Sequence, residues 1–329
     1  MVISMKIKVI LTGGTIGSAV KGGMISPAGS PAEKLKASYK NAGGKAEFEF
    51  VSPYTILSEN LNADNINALV SSALGAYKSG YDKIIICHGT DTLQYSAAAV
   101  LYALAGAHCS CVFVSAAKPL DAEGTNGFDN FCAAAAFLEN TDMPGVYAAY
   151  KNRGENAKIL PAARLALHAE GCESLNCVNG EYAAEFINGK IIPNPQFVFA
   201  ESKNIGFPVH FKNFSGVEII TAAPGQKYAP CKSGTRAAIL KPYHSGTLNT
   251  ASADFRKFCQ NAKERNIPLF AVDIKPGAQY ESSFEFEKLG IIPIEGAAFA
   301  ATYIKLWLAG DKKGKELERF IKTSFAGEL

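Results

Sequence analysis

An α/β fold in two domains is predicted by three features of the chain. Strand-like and helix-like apolar runs alternate through residues 6–150, the pattern of a mostly parallel sheet with helices on both faces. The 329 residues are enough for two ordinary domains. Two short polar signatures, Thr12-Gly-Gly-Thr-Ile-Gly17 and His88-Gly-Thr-Asp-Thr92, each follow directly on an apolar run. Open α/β sheets bind their ligands there, beyond the carboxyl ends of the strands.

The first strand is expected at residues 6–11, followed by a glycine-rich loop. Gly22, Gly23, Pro27 and Gly29 make that loop long, in keeping with a lid at the strand rim rather than a plain connector. A helix follows over 31–41, and Glu47-Phe-Glu-Phe-Val-Ser52 alternates as a strand does. Residues 64–77 have helical spacing, 83–87 read as a strand, 93–105 as a helix and 111–114 as a strand. A helix over 128–138 and a strand over 145–150 complete the run. Residues 155–195 break the alternation, with a hairpin at 184–192 turning on Asn188-Gly189. Residues 193–214, with Pro193, Pro195, Gly206 and Pro208, form the expected linker. Residues 1–192 are thus expected to hold the larger sheet and 215–329 a smaller α/β domain. The latter has strands at 217–220, 237–240 and 269–273, and helices near 251–265 and 296–309.

Composition narrows the function. The chain is 48% hydrophobic and 19% charged, as suits a sizeable buried core. Its 33 basic and 30 acidic residues leave a net charge of +3, which gives no reason to expect nucleic acid. No apolar run reaches the ~18 residues of a membrane span. No apolar block ahead of a small-residue cleavage site marks a signal peptide, so a cytoplasmic protein is expected. Cys109-x-Cys111 and Cys172-x4-Cys177 do not make a zinc-ligand set, and neither a metal nor a cofactor is expected. Cys87 and others in strand-like runs read as small buried hydrophobes in a reducing compartment.

The glycines Gly13, Gly14 and Gly17 have the wrong spacing for a dinucleotide fingerprint, and no Gly-Lys-Ser/Thr ending marks a phosphate loop. That argues against a nucleotide-binding protein. Taken alone, Thr12 to Gly17 equally suits a tight strand exit that needs glycine at positive φ. In the second signature, one of Thr90, Asp91 or Thr92 is expected to cap the following helix. Capping accounts for one polar residue of four, and burying the rest costs desolvation unless they pair or bind something. Thr15 and Thr90 would stand at one rim beside Asp91. Paired hydroxyls without a histidine partner suggest threonine-based nucleophilic chemistry.

The two signatures together resemble those of the L-asparaginase/glutaminase amidohydrolases, whose T-G-G-T-I and H-G-T-D-T patterns both stand intact here. Leu57-Ser-Glu-Asn-Leu61 is similar to the family's substrate loop, and Phe113-Val-Ser-Ala-Ala-Lys-Pro119 to its next strand end. Gly127-Phe-Asp-Asn130 resembles its D-G-x-x-N segment weakly. Length and domain order are similar over nearly the whole chain, and the lack of a signal peptide resembles the cytoplasmic type I branch. The resemblance implies hydrolysis of a side-chain amide, such as that of asparagine, to the acid and ammonia. It implies Thr15 as nucleophile, held by the Gly13-Gly14 turn, and Thr90 as a second catalytic hydroxyl. Asp91 would hold the α-ammonium of the substrate, and Ser58 with Glu59 its α-carboxylate end. The Gly89 amide and the Ala116 carbonyl would border the scissile carboxamide. A homodimer or homotetramer is implied as well.

Two departures qualify that resemblance. The family has a lid tyrosine that assists the first threonine, where this chain has Met24. It also has a lysine paired with the second threonine. Alignment of Arg164-Leu-Ala-Leu-His-Ala-Glu-Gly171 through His168 and Gly171 places Ala166 there. General acid–base help is worth ~10²–10⁴-fold, so the alternative is a weakened or inactive homologue that binds asparagine or aspartate. Lys118 is an auxiliary candidate for Thr90, more readily read as a surface lysine; Tyr54 and Lys21 are candidates for Thr15. His168 reads as a loop organiser rather than a base. Tyr243-His-Ser-Gly-Thr247 stands where the family has a loop ending in asparagine that touches a neighbouring protomer's site. His244 and Ser245 are therefore second-tier candidates, though adjacent residues make a poor triad.

Overall fold

The computed structural model describes residues 5–21, 24–27, 31–169, 171–274 and 280–329. The chain forms two compact units, one of the residues up to Val209 with Phe325–Gly327, the other of His210–Ser324 with Glu328–Leu329.

The first unit is built on β1 (Lys6–Leu11), a hairpin of β2 (Ser18–Lys21) and β3 (Met24–Pro27), α1 (Ala32–Asn41), β4 (Glu47–Val51) and α2 (Ala63–Lys78). It continues with β5 (Lys83–Cys87), α3 (Leu93–Ala103), β6 (Ser110–Val114), α4 (Gly127–Asn140), β7 (Gly145–Lys151), β8 (Ala157–Pro161), β9 (Ala184–Ile187) and β10 (Lys190–Pro193). Its eight-stranded sheet has the order β10-β9-β8-β7-β6-β5-β1-β4. Strands β4, β1, β5, β6 and β7 pair in parallel, and β7 to β10 pair antiparallel. The chain leaves β1 towards β4 on one side and returns to β5 on the other. The crevice beyond β1 and β5 is therefore the topological switch point, the preferred ligand position in such sheets.

Alternation along each strand sorts the core into two layers. Ile7, Val9 and Leu11 of β1, Ile85 and Cys87 of β5, and Val112 and Val114 of β6 pack with Leu35 and Tyr39 of α1 and Phe131 and Phe137 of α4. Ile10, Ile84, Ile86 and Phe113 are fully buried on the opposite face, the side of α2 and α3, which pack on each other. Helix α2 buries Ile66, Leu69, Val70 and Ala73, a single stripe. Its Asn62 caps it by accepting the Asn65 N–H at 3.1 Å. The Asn188-Gly189 turn has positive φ at both residues, 49° and 78°, as a two-residue hairpin of this type requires.

The structure corrects the expected elements in three places. The stretch after β1 is not a plain loop: Ser18–Lys21 and Met24–Pro27 pair as an antiparallel hairpin. Gly22, Gly23 and Gly29 lie outside the described residues. The break at 155–195 holds another strand, β8, paired to β7. The two units divide between Val209 and His210. The second unit also has elements that sequence spacing did not mark. Its parallel sheet, β11 (Val217–Thr221), β12 (Ala237–Lys241), β13 (Leu269–Ile274) and β14 (Ile291–Glu295), runs in that order. Its helices are α5 (Ala253–Glu264), α6 (Glu281–Phe284), α7 (Phe299–Leu308) and α8 (Gly314–Ile321). Among the described residues no helix is long and apolar enough to cross a membrane.

Candidate active site

Three segments of the first unit meet at the switch point. The exit of β1 is stitched to the exit of β5 by Thr12, whose N–H and hydroxyl both donate to the Cys87 carbonyl, at 3.1 Å and 3.0 Å. The same exit is laced to the loop after β4. Gly14 N–H donates to the Ile56 carbonyl at 2.9 Å, and Ile56 N–H donates to the Thr12 carbonyl at 3.1 Å. The first signature is thus a pinned turn. Gly13 and Gly14 have φ of +95° and +72°, where a side chain is strained.

The glycines are required by space as well as by angle. A Cβ on Gly13 would lie 2.4 Å from the Ile56 carbonyl oxygen, and one on Gly14 2.2 Å from the Gly89 Cα. Gly89 has a similar constraint: its Cβ would meet the Ser58 Cβ at 2.5 Å. Backbone from all three segments is in contact here. Thr15 opens the short 3₁₀ turn Thr15–Gly17, half-buried, and the Ser18 hydroxyl holds that turn by donating to the Gly14 carbonyl at 2.8 Å.

The second signature is held from the β4 loop. Ser58, buried in the turn Ser58–Asn60, donates its hydroxyl to Asp91 Oδ2 at 3.1 Å. Thr92 donates its hydroxyl to the Ser58 carbonyl at 2.9 Å. This overturns the expected cap. Thr92 occupies the N-cap position of α3, but no side chain caps the helix, because its hydroxyl is spent on Ser58. Nor are four polar side chains buried: His88 is, while Thr90 and Thr92 are half-buried and Asp91 is exposed. His88 is kept neutral because desolvation lowers its pKa to about 4. Its Nδ1 lies 2.9 Å from the Gly89 carbonyl. A carbonyl only accepts, so Nδ1 carries the proton.

The remaining expected residues differ in burial and partners. Ala116 is fully buried beyond β6. That strand end is fixed by Asn130, whose side chain donates to the Ser115 carbonyl at 2.8 Å and accepts from Lys151 N–H at 2.7 Å. Lys118 is exposed, and its ammonium donates to the Glu123 carbonyl at 3.2 Å, which favours the surface reading. Glu59 is exposed. The Tyr54 hydroxyl is buried without a hydrogen-bond partner. Burial pushes its pKa well up, opposed by the nearby Thr12 hydroxyl, so it stays protonated and cannot serve as a base. In the loop after β8, Ala166 N–H donates to the Asn176 carbonyl at 2.9 Å, and His168 Nδ1 donates to the Ser174 carbonyl at 2.9 Å, an organising role. In the second unit His244 is exposed, and the Ser245 hydroxyl lies 3.1 Å from the Thr247 hydroxyl. The side chains of Lys21 and Met24 lie outside the described residues. Among those described, no cluster of three or more His, Cys, Asp or Glu could hold a metal ion.

Sequence reasoning gave Thr12 no role of its own, named Thr92 only as one of three cap candidates and Asn130 only within a weakly similar segment; all three fix the loops. Their signal is the partner each finds across the sheet, which no local spacing encodes.

A covered α/β sheet with hydroxyls and one carboxylate on the loops of its switch point defines the class, an open α/β protein. Residues 6–197 match the family model for the N-terminal part of asparaginase, and the chain belongs to the asparaginase family of amidohydrolases. It is 33% identical over 343 residues to a component of the glutamyl-tRNA(Gln) amidotransferase of Archaeoglobus fulgidus, covering 98% of this chain and 79% of that one. It is 21% identical over 332 residues to the L-asparaginase of Thermococcus kodakarensis, covering 99% of both. The solved structure of the thermostable L-asparaginase from that organism superimposes with a TM-score of 0.81 over 99% of each chain. A probable cytoplasmic L-asparaginase from Campylobacter jejuni, 20% identical, gives 0.75 over 98% of this chain and 100% of that one. These structural likenesses are ones of fold.

Proposed function

We propose that this protein hydrolyses the side-chain amide of L-asparagine to aspartate and ammonia. The Thr15 hydroxyl attacks the carboxamide carbon, ammonia leaves with the proton the hydroxyl gives up, and water then releases aspartate from the threonine ester. Thr90 is the second hydroxyl at the reacting carbon. Asp91 binds the α-ammonium, Ser58 and Glu59 the α-carboxylate end. Gly14, the Gly89 amide and the Ala116 carbonyl border the carboxamide. No cofactor takes part. The observation that carries this reading is the 3.1 Å hydrogen bond from Ser58 to Asp91. It sets a carboxylate and a hydroxyl from separate loops side by side, an arrangement suited to an amino-acid zwitterion.

Ala166 brings no charge, and Lys118 is engaged with Glu123. Turnover is therefore expected to be low, and the second reading is a homologue that binds asparagine or aspartate without hydrolysing it. The likeness to a component of a glutamyl-tRNA(Gln) amidotransferase makes glutamine the competing amide. We also infer a homodimer or homotetramer in the cytoplasm. Ammonia release from L-asparagine, L-glutamine and D-asparagine by the purified protein, with calorimetric titration of aspartate, tests the proposal. Release from L-asparagine above the other amides is expected. Aspartate binding without release from any amide favours the binding homologue, and neither binding nor release overturns both readings.

A further inference from the structure

Two side-chain hydrogen bonds run in opposite senses between the loops after β4 and β5. The Ser58 hydroxyl donates to Asp91 Oδ2 at 3.1 Å, and the Thr92 hydroxyl donates to the Ser58 carbonyl at 2.9 Å. The partners are 33 and 34 residues apart in the chain. Ser58 is thus clasped twice by one short segment, through its side chain and through its backbone.

Ser58 is also hemmed in. It is buried, and the Gly89 backbone lies so close that a Cβ there would stand 2.5 Å from the Ser58 Cβ and 2.6 Å from its Oγ. Where the Ser58 hydroxyl points is therefore set by where its backbone stands. The Ser58 carbonyl accepts from Leu61 N–H at 3.1 Å as well as from Thr92, which fills both lone pairs. The Leu61 bond lies inside the loop's own turn, whereas the Thr92 bond ties that turn to the Asp91 segment. Thr92 stands at the N-cap position of α3 with ψ of 13°, outside the extended region of a capping residue. Its hydroxyl crosses to Ser58 instead of turning back onto the helix.

We propose that Thr92 is a positioning residue for the α-amino-acid end of the substrate: by holding the Ser58 carbonyl, it keeps the Ser58 hydroxyl on Asp91. This rests on the proposed function, in which Ser58 and Asp91 bind the zwitterion. Loops held in register before the substrate arrives lose less freedom on binding, so the clasp acts on affinity. Its effect therefore falls on KM rather than on kcat. Without the Thr92 hydroxyl the Ser58 carbonyl keeps its bond from Leu61. No buried acceptor is orphaned, and the fold loses little.

Thr92→Val removes the hydroxyl and keeps the branched shape. It is expected to raise KM for L-asparagine, and the calorimetric Kd for aspartate, ~10-fold, with kcat within about twofold of wild type. The melting temperature is expected to stay within about 3 °C. Thr92→Ser keeps the hydroxyl and is expected to recover most of the loss. A residue that acts through Ser58 has nothing to position once that hydroxyl is gone. Adding Thr92→Val to Ser58→Ala is therefore expected to change KM and Kd by less than ~2-fold. Unchanged KM and Kd in Thr92→Val overturn the proposal, as does a loss that falls on kcat or one that Thr92→Ser does not recover. A second full ~10-fold loss in the double variant overturns it too. Should Thr92→Val not fold, Thr92→Ala takes its place with the same expectations. A wild type that binds aspartate but releases no ammonia ends the hydrolytic reading alone, and the Kd series then decides on Thr92. A wild type that neither binds nor releases overturns both.

Discussion

Gly14→Ala should damage both stability and turnover, by amounts the local geometry sets. A Cβ at this position would stand 2.2 Å from the Gly89 Cα, 2.3 Å from its nitrogen and 3.0 Å from the His88 carbonyl carbon. All three are backbone atoms, so no rotamer change relieves the clash. Carbon–carbon contact needs ~3.5 Å, and the two signatures must therefore part by more than about 1 Å. Overpacking of this kind costs ~1–3 kcal/mol. The φ of +72° adds ~1–2 kcal/mol for a residue with a Cβ. The sum, ~2–5 kcal/mol, is a large share of the 5–15 kcal/mol typical of folded domains. A displacement of that size between Thr15 and Thr90 should also cut kcat ~10²-fold. Urea unfolding followed by circular dichroism gives the first quantity and ammonia release the second. Gly75→Ala is the control: exposed within α2, with nothing within 4 Å of its Cβ, it should stabilise the protein by ~0.5–1 kcal/mol. A Gly14→Ala protein within ~0.5 kcal/mol of wild type would refute the close approach of the two loops.

Three further outcomes are expected. His88 has a folded pKa of about 4 against ~6.5 unfolded, so on acidification the unfolded chain takes up the proton first. Stability should fall by ~3 kcal/mol between those pH values, and His88→Gln should lack this share of the fall in a pH series of unfolding curves. In the second unit, Lys305 donates to Glu328 at 2.6 Å and to the Ile321 carbonyl at 3.0 Å, both side chains almost fully buried. Glu328→Gln leaves that ammonium without its counter-charge and should cost ~3–5 kcal/mol by calorimetry. On the alignment that sets Ala166 at the place of the family's lysine, Ala166→Lys should raise asparagine turnover ~10-fold or more. Lys118→Met should leave it nearly unchanged; a dead Lys118→Met enzyme would establish a relocated lysine instead.

What was legible in the sequence follows from how local each signal is. Strands β1 and β5 announce themselves as apolar runs, and the glycines and threonines that follow them mark the switch point. The hairpin announces itself by Asn188-Gly189 because its turn geometry is local. Strand β14 carries Pro293, which breaks a strand pattern; it stands at the sheet edge, where a missing N–H costs little. Strand β8 is five residues long and ends in Pro161, and it exists through its pairing with β7. The caps show the same limit. Thr92 has a capping residue's identity, yet its hydroxyl goes to Ser58, 34 residues away in the chain.

The proposed chemistry turns on Thr15 as the nucleophile of an amidohydrolase. Ammonia release from L-asparagine by wild type and Thr15→Val tests it without intermediaries, since the change removes the hydroxyl at nearly constant volume. Measurable release by the wild type is predicted, with a kcat at least ~10²-fold lower in the variant and the same melting temperature. Equal turnover by the two proteins would contradict it.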